Sequence, residues 1–148
     1  MSDLITPQEI ERHARTLLHT PYQHQGRTAG KELDCIGVII LTGKLAGVIE
    51  PDFDFCNYTR DPDGKLEKML DLHCEPLETV QLGAIALFAL DAIPHHCGII
   101  TNYATGDGLL HALDSVGCRR VVEHALLNSL SEKMVKVYGF RGVAYSAS

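Results

Sequence analysis

Apolar positions recur along this chain with two different periods, and the change of period falls near its middle. In the first half, Ile10, Ala14, Leu17 and Leu18 fall on one face at helical spacing. Before them, Thr6-Pro7-Gln8-Glu9 reads as a capping box with proline at the first helical position. The helix should stop before Pro21, because the residue preceding a proline avoids the α region. Residues 21–33 are polar and hold Gly26 and Gly30, which reads as a loop. A second helix is expected from about Asp34 to Leu45. Its run at 36–41 is apolar on nearly all sides, which suggests burial. A buried strand is the competing reading of so short a run. Helix is preferred because the stretch continues as Thr-Gly-Lys-Leu-Ala without a turn until Gly47. Residues 48–62 read as loop. A third helix is expected to start at Asp61-Pro62-Asp63, to turn Leu66, Met69, Leu70 and either His73 or Cys74 inward, and to end at Pro76.

The second half is punctuated differently. Short apolar runs at 84–90, 97–102, 109–113 and 119–123 are split by Pro94, by Gly106-Asp107-Gly108 and by Gly117. These predict strands of an antiparallel sheet. A short helix near 123–131 and strands at about 134–138 and 140–145 complete the pattern. Helices first and strands second make an α+β domain. With no repeat, linker or low-complexity segment, residues 1–148 read as one domain, long enough to bury a core without staples.

Composition narrows the function classes. Apolar residues make up 45% and charged residues 22%, as in ordinary globular proteins. The net charge is −6, aromatics are 6%, and the one adjacent basic pair is Arg119-Arg120. Nucleic acid is a poor partner for such a chain, because phosphate contacts need clustered lysine and arginine. No stretch is long and apolar enough to span a bilayer. The opening residues hold neither the basic region nor the apolar core of a signal peptide, so export by some other route is expected if the protein acts outside the cytoplasm. The five cysteines, at 35, 56, 74, 97 and 118, are odd in number and include no Cys-x-x-Cys. A reduced compartment fits them better than a disulfide framework or a zinc knuckle.

Cys35 stands out by position, at the expected start of the buried helix. The positive end of a helix dipole favours a thiolate and brings such thiols to about 3.5–7.5. The unpaired first-turn N–H groups can donate to the oxyanion of a tetrahedral intermediate. The competing reading is a small buried hydrophobe. His96 opens the run His96-Cys97-Gly98-Ile99-Ile100, where it can point at a neighbouring helix end. Its neighbour His95 must face the other way, since side chains alternate along a strand. His111 lies on the next strand, where it can stand beside His96 and orient its imidazole; a satisfied core histidine is the bland alternative. The eight histidines and five cysteines include no pair at zinc-ligand spacing near another candidate, so neither a metal nor another cofactor is expected.

At these residues the sequence resembles the NlpC-type cell-wall peptidases, which are papain-like cysteine peptidases of bacterial peptidoglycan. Three blocks occur in the family's order. Thr20-Pro21-Tyr22 is similar to its Pro-Tyr block, and Asp34-Cys35-Ile36-Gly37 to its Asp-Cys-Ser-Gly nucleophile motif. His96-Cys97-Gly98-Ile99 and His111-Ala112 resemble its His-Val-Gly-Ile and His-Ala strands. The closer likeness is to the branch found in tailed phages, through residues 20–25, the large Ile36 after the cysteine, and residues 57–61. The chain departs from the family at His24-Gln25-Gly26, where Trp-Gly-Gly is usual, and at Gly83-Ala84, where Gly-Asp is usual. The resemblance implies N-terminal helices packed on an antiparallel sheet. It implies an endopeptidase of the stem peptide, acting at an isopeptide-type bond next to diaminopimelate. Cys35 would be nucleophile, His96 base and His111 orienting residue, with Tyr22 and Asp34 lining the substrate side. Asp34 would bind a free stem amine, or simply cap its helix. Other phage tail proteins are implied as partners, and a tail or virion acting at the cell wall as the location. Two alternatives stay open: a non-catalytic tail-tip or assembly protein, and an amidase or acyltransferase of the same fold.

Overall fold

The computed structural model describes residues 4–146. The reading of the opening residues as carrying no signal peptide includes residues 1–3, which lie outside those described. Helix α1, Pro7–Arg15, starts as expected: the Thr6 hydroxyl accepts from the Glu9 N–H and the Glu9 carboxylate accepts from the Thr6 N–H. It ends earlier than Pro21 requires. The chain leaves through a turn in which His19 takes a positive φ of 73°, and its N–H donates to the Val121 carbonyl.

Residues 21–33 are not entirely loop. They fold into a two-stranded ribbon, β1 (Arg27–Thr28) and β2 (Glu32–Leu33), which turns at Gly30 with φ of 80°. Helix α2 runs Cys35–Leu45 and settles the choice between helix and strand. It is buried almost all round, with Ile36, Val38, Ile39 and Ile40 each at most 2% exposed. Helix α3, Lys65–His73, begins later than expected, because the Asp63 carboxylate accepts from the N–H groups of Thr59 and Lys65 and holds the preceding turn. Its inward residue at the C-terminus is Cys74, and His73 is exposed.

The sheet has six strands, all antiparallel, in the order β3-β8-β4-β5-β6-β7. They are β3 (Glu75–Leu77), β4 (Ile85–Phe88), β5 (His96–Tyr103), β6 (Gly106–Ala112), β7 (Val121–Ala125) and β8 (Met134–Gly139), with the four-residue helix α4 at Asn128–Ser131. Strand β3 has no alternating pattern and went unseen in the sequence. The strand expected at 140–145 does not form. Gly142 takes φ of 87°, and Tyr145 folds back over Gly139, its hydroxyl donating to the Gly83 carbonyl at 2.7 Å. Only Val143 pairs, bridging to Ile5.

The two faces of the sheet serve different ends. Ile85, Leu87, Cys97, Ile99, Leu110 and Ala112 pack with α1 and α2 in the main core. Ala84, Ala86, Phe88, Ile100 and Leu109 form a smaller cluster on the other face. Alternation along β5 and β6 therefore puts His96, Gly98 and His111 on that second face. The α+β layout of helices on an antiparallel sheet is the expected one.

Candidate active site

The N-terminus of α2 is held in place by a buried carboxylate. Asp34, 2% exposed, is the N-cap, and its Oδ1 accepts from the Gly37 N–H at 2.8 Å. Its two oxygens also accept from the Gln25 N–H at 2.7 Å, from Arg27 Nη1 at 2.9 Å and from the Tyr58 hydroxyl. These four donors occupy the lone-pair directions a carboxylate offers. Asp34 is thus buried beneath the groove rather than on its wall, and it fills the capping role. The Arg27 guanidinium also bonds Asp54 at 2.9 Å and the Phe55 carbonyl at 2.8 Å, so the same ion pair ties the ribbon and the loop after α2 to the helix start. Gly37 completes the approach, since a Cβ there would collide with the Gly26 carbonyl.

Cys35 opens the helix, and its half-buried thiol reaches the wall of a groove of about 520 Å³. Two neighbours hold this thiol well below the ordinary thiol range: the Cys97 thiol first, then the His96 imidazole. Burial and the Asp34 charge oppose them. Cys97 is fully buried on β5, donates to the Cys35 carbonyl at 3.5 Å, and is pushed far above the ordinary thiol value by its contact with Cys35 and by burial. One thiol of the pair is thus poised to ionise while the other stays a donor. Two further cysteines are shifted the other way, and a third lies elsewhere. Burial pushes Cys74 up to about 11, Cys56 is raised by burial and by the Asp54 carboxylate, and Cys118 lies away from the site, in the turn after β6.

His96 is the first residue of β5, and its ring meets Cys35. Its Nε2 lies 2.7 Å from Nδ1 of His111. The strand register explains the contact. His111 stands opposite Gly98, so it is the diagonal neighbour of His96 on the same face. A Cβ on Gly98 would sit 2.9 Å from the His111 Cβ and 2.7 Å from a Leu109 methyl, so the bare glycine makes room for the second ring. His111 is 2% exposed, and burial between two other imidazoles lowers its pKa to about 2, so the ring is neutral. His95 also lines the groove, but its Nε2 lies 2.9 Å from the Arg60 carbonyl.

The row does not end at His111. Its Nε2 lies 2.8 Å from Nε2 of His124 on β7, and the His124 Nδ1 lies 2.9 Å from the Ala125 carbonyl. His124 was missed because the sequence reading ended the strand at Glu123 and began a helix there. The signal was present in Val121-Val122-Glu123-His124-Ala125, which continues as strand to Ala125.

Tyr22 lines the groove together with Cys35. Burial, together with the charges of Cys35 and Asp34, raises its pKa, so its hydroxyl remains a donor. Arg60, Asp91 and Asp114 give the groove charge of both signs. Residues 20–25 and 57–61 pack together, through Gln25 Nε2 bonded to the Cys56 and Tyr58 carbonyls at 2.7 and 3.0 Å and the His24 ring edge-on to Tyr58. Gln25 takes a positive φ of 61° where the resembled pattern has glycine, which is the residue that suits such a backbone. Among the described residues, no group of three His, Cys, Asp or Glu is placed to hold a metal ion.

The fold is that of NlpC/P60 proteins. It superposes on an NlpC/P60 family protein from Bacillus cereus ATCC 10987 with a TM-score of 0.64 at 17% identity, over 93% of this chain and 41% of that one. It superposes on NlpC1 from Trichomonas vaginalis with a TM-score of 0.62 at 16% identity, over 89% and 44% of the two chains. The NlpC/p60 domain of the peptidoglycan hydrolase SagA matches with a TM-score of 0.57 at 12% identity, over 90% of this chain and 97% of that one. No family model and no curated protein matches the sequence. The chain spans less than half of the first two structures and nearly all of the third. Likeness at these identities carries the fold alone.

Proposed function

We propose that this chain is a cysteine peptidase of bacterial peptidoglycan, with Cys35 as nucleophile and His96 as acid and base. The observation that carries the reading is one arrangement. An activated thiol sits at a helix N-terminus, beside an imidazole tied to a second, neutral imidazole, on the wall of an open groove. The Cys35 thiolate attacks the scissile carbonyl, and the first-turn N–H groups of α2 not taken by Asp34 face the developing oxyanion. His96 takes the proton of the Cys35 thiol and gives it to the leaving amine. It then takes a proton from the water that cleaves the thioester. His111 holds the His96 ring between these steps. Tyr22, protonated and facing the groove, is a donor for the substrate.

The stem peptide is favoured as substrate by the three sequence blocks around Tyr22, Cys35 and His96, and by the fold shared with a peptidoglycan hydrolase domain. An isopeptide-type bond next to diaminopimelate is the bond that the resemblance favours. The phage-like blocks at 20–25 and 57–61 support a place in the tail of a phage particle, with other tail proteins as partners and the cell wall as the place of action. No helix among the described residues is long and apolar enough to cross a membrane.

The test is digestion of purified peptidoglycan, followed by mass spectrometry of the soluble products. The wild-type protein should release stem-peptide fragments with a new carboxylate, and Cys35→Ala should release none. Equal release by both would remove Cys35 as nucleophile. Products that carry the acyl group on an added amine, with no free carboxylate, would identify an acyltransferase instead.

A further inference from the structure

The histidine row has a direction, and its far end sets it. The Ala125 carbonyl can only accept a hydrogen bond, so a His124 ring that holds one proton carries it on Nδ1, 2.9 Å from that oxygen. His124 Nε2 then presents a lone pair, and the bond at 2.8 Å must be donated by His111 Nε2–H. His111 is neutral, so its Nδ1 is an acceptor, and the bond at 2.7 Å must be donated by His96 Nε2–H. The nitrogen left to His96 for the thiol is Nδ1. The opposite direction fails at its end: His111 would donate from Nδ1 and accept at Nε2, and His124 would have to donate from both nitrogens.

We propose that His124 is a positioning residue, which with the Ala125 carbonyl fixes the tautomers of His111 and His96 so that His96 keeps Nδ1 for Cys35. Its place fits the role. Strand β7 pairs with β6 so that His124 stands opposite Leu109, one diagonal step from His111 on the same face of the sheet. The three rings form a staircase across β5, β6 and β7, with successive centroids 5.0 and 4.9 Å apart and the rings edge-on to one another. His111 alone does not choose a direction, because a neutral ring with a free far nitrogen can hold either tautomer. The acceptor at His124 makes the choice. The inference rests on the reading of Cys35 and His96 as the reactive pair, but the direction of the row can be measured without it.

Two variants separate the roles of shape and acceptor. His124→Phe keeps a ring and removes the acceptor, while His124→Gln keeps a side-chain carbonyl to accept from His111. The first readout is the rate of Cys35 alkylation by iodoacetamide as a function of pH, which needs no cell-wall substrate. Wild type and His124→Gln should both alkylate at a plateau that extends well into acid. In His124→Phe the rate at pH 6 should fall at least tenfold, with its midpoint moved toward that of an ordinary thiol. A folded His124→Phe protein with the wild-type profile would overturn the proposal. The second readout is nitrogen NMR of wild-type protein labelled in histidine. Protons on Nε2 of His111 and on Nδ1 of His124 are expected; a proton on His111 Nδ1 instead would overturn the proposal even if no variant folds. Absence of the acid plateau in wild type, with the expected tautomers, would instead refute Cys35 and His96 as an ion pair and leave the direction of the row intact.

Discussion

At the scale of single residues, the site separates side chains that look alike in the sequence. Five cysteines are present, and the structure activates one. Cys35 is lowered by the Cys97 thiol and the His96 imidazole, Cys97 and Cys74 are raised by burial or by a neighbouring thiolate, and Cys56 is raised beside Asp54. Brief treatment with iodoacetamide at neutral pH should therefore label Cys35 first, because the thiolate is the reactive form. Site-resolved mass spectrometry decides it, and faster labelling of any other cysteine would contradict the assignment. The two adjacent histidines separate in the same way. His95 bonds a loop carbonyl and His96 meets the thiol. His96→Ala should abolish peptidoglycan release, whereas His95→Ala should keep a good part of it. The reverse result would place the strand out of phase by one residue.

At the scale of elements, what decides the chemistry is how helix and strand ends are tied down. Asp34 carries that burden for α2, and it is paired inside the protein with Arg27, whose side chain is 15% exposed. Without Asp34 the Arg27 guanidinium keeps Asp54, but the buried donors of Gly37, Gln25 and Tyr58 lose a charged acceptor, at a cost of about 1.5–3 kcal/mol. Asp34→Ala should lower stability by roughly that amount, with Asp34→Asn in between, as read from urea denaturation. A change of only a few tenths of a kcal/mol in the alanine variant would show that the network is not holding the helix. Much of this layer was legible in the sequence. The capping box of α1, the buried α2 with Cys35 at its first turn, and His96 at the head of β5 all follow from local signals. The ribbon at 27–33, strand β3 and the end of β7 do not. Two- and three-residue strands are too short for a period to show, and they exist because a partner strand is already in place. The misplaced end of β7 had the largest consequence, because a helix drawn from residue 123 takes His124 away from the row to which it belongs. The burial of Asp34 was not legible for a related reason. A carboxylate before a helix reads the same whether it faces solvent or is sealed by Arg27, Tyr58 and Gln25, and only the packing tells which.

At the scale of the whole molecule, the sheet joins catalysis to stability, because the face that carries the histidine row is also part of the protein's interior. His111 is held neutral there, with its pKa lowered to about 2 by burial and by the two flanking imidazoles, against an ordinary value near 6.5. Above about pH 7 the ring is neutral both folded and unfolded, and it adds no pH dependence. Below about 6.5 the unfolded chain takes up a proton that the folded protein refuses, so stability falls as pH falls. The loss approaches about 1.4 kcal/mol per pH unit and continues until the folded ring itself titrates near pH 2. A His111→Gln variant has no such group, although its side chain still accepts from His96. It should be less stable than wild type at pH 7, where it loses a packed ring. Between pH 7 and pH 5 it should lose up to about 2 kcal/mol less than the wild-type protein does. Urea denaturation of both proteins at the two pH values measures that difference directly. Parallel loss in the two proteins would mean that the folded state protonates His111 near its ordinary pKa. The row would then carry a charge at its centre, and the neutral bridge between His96 and His124 would not exist.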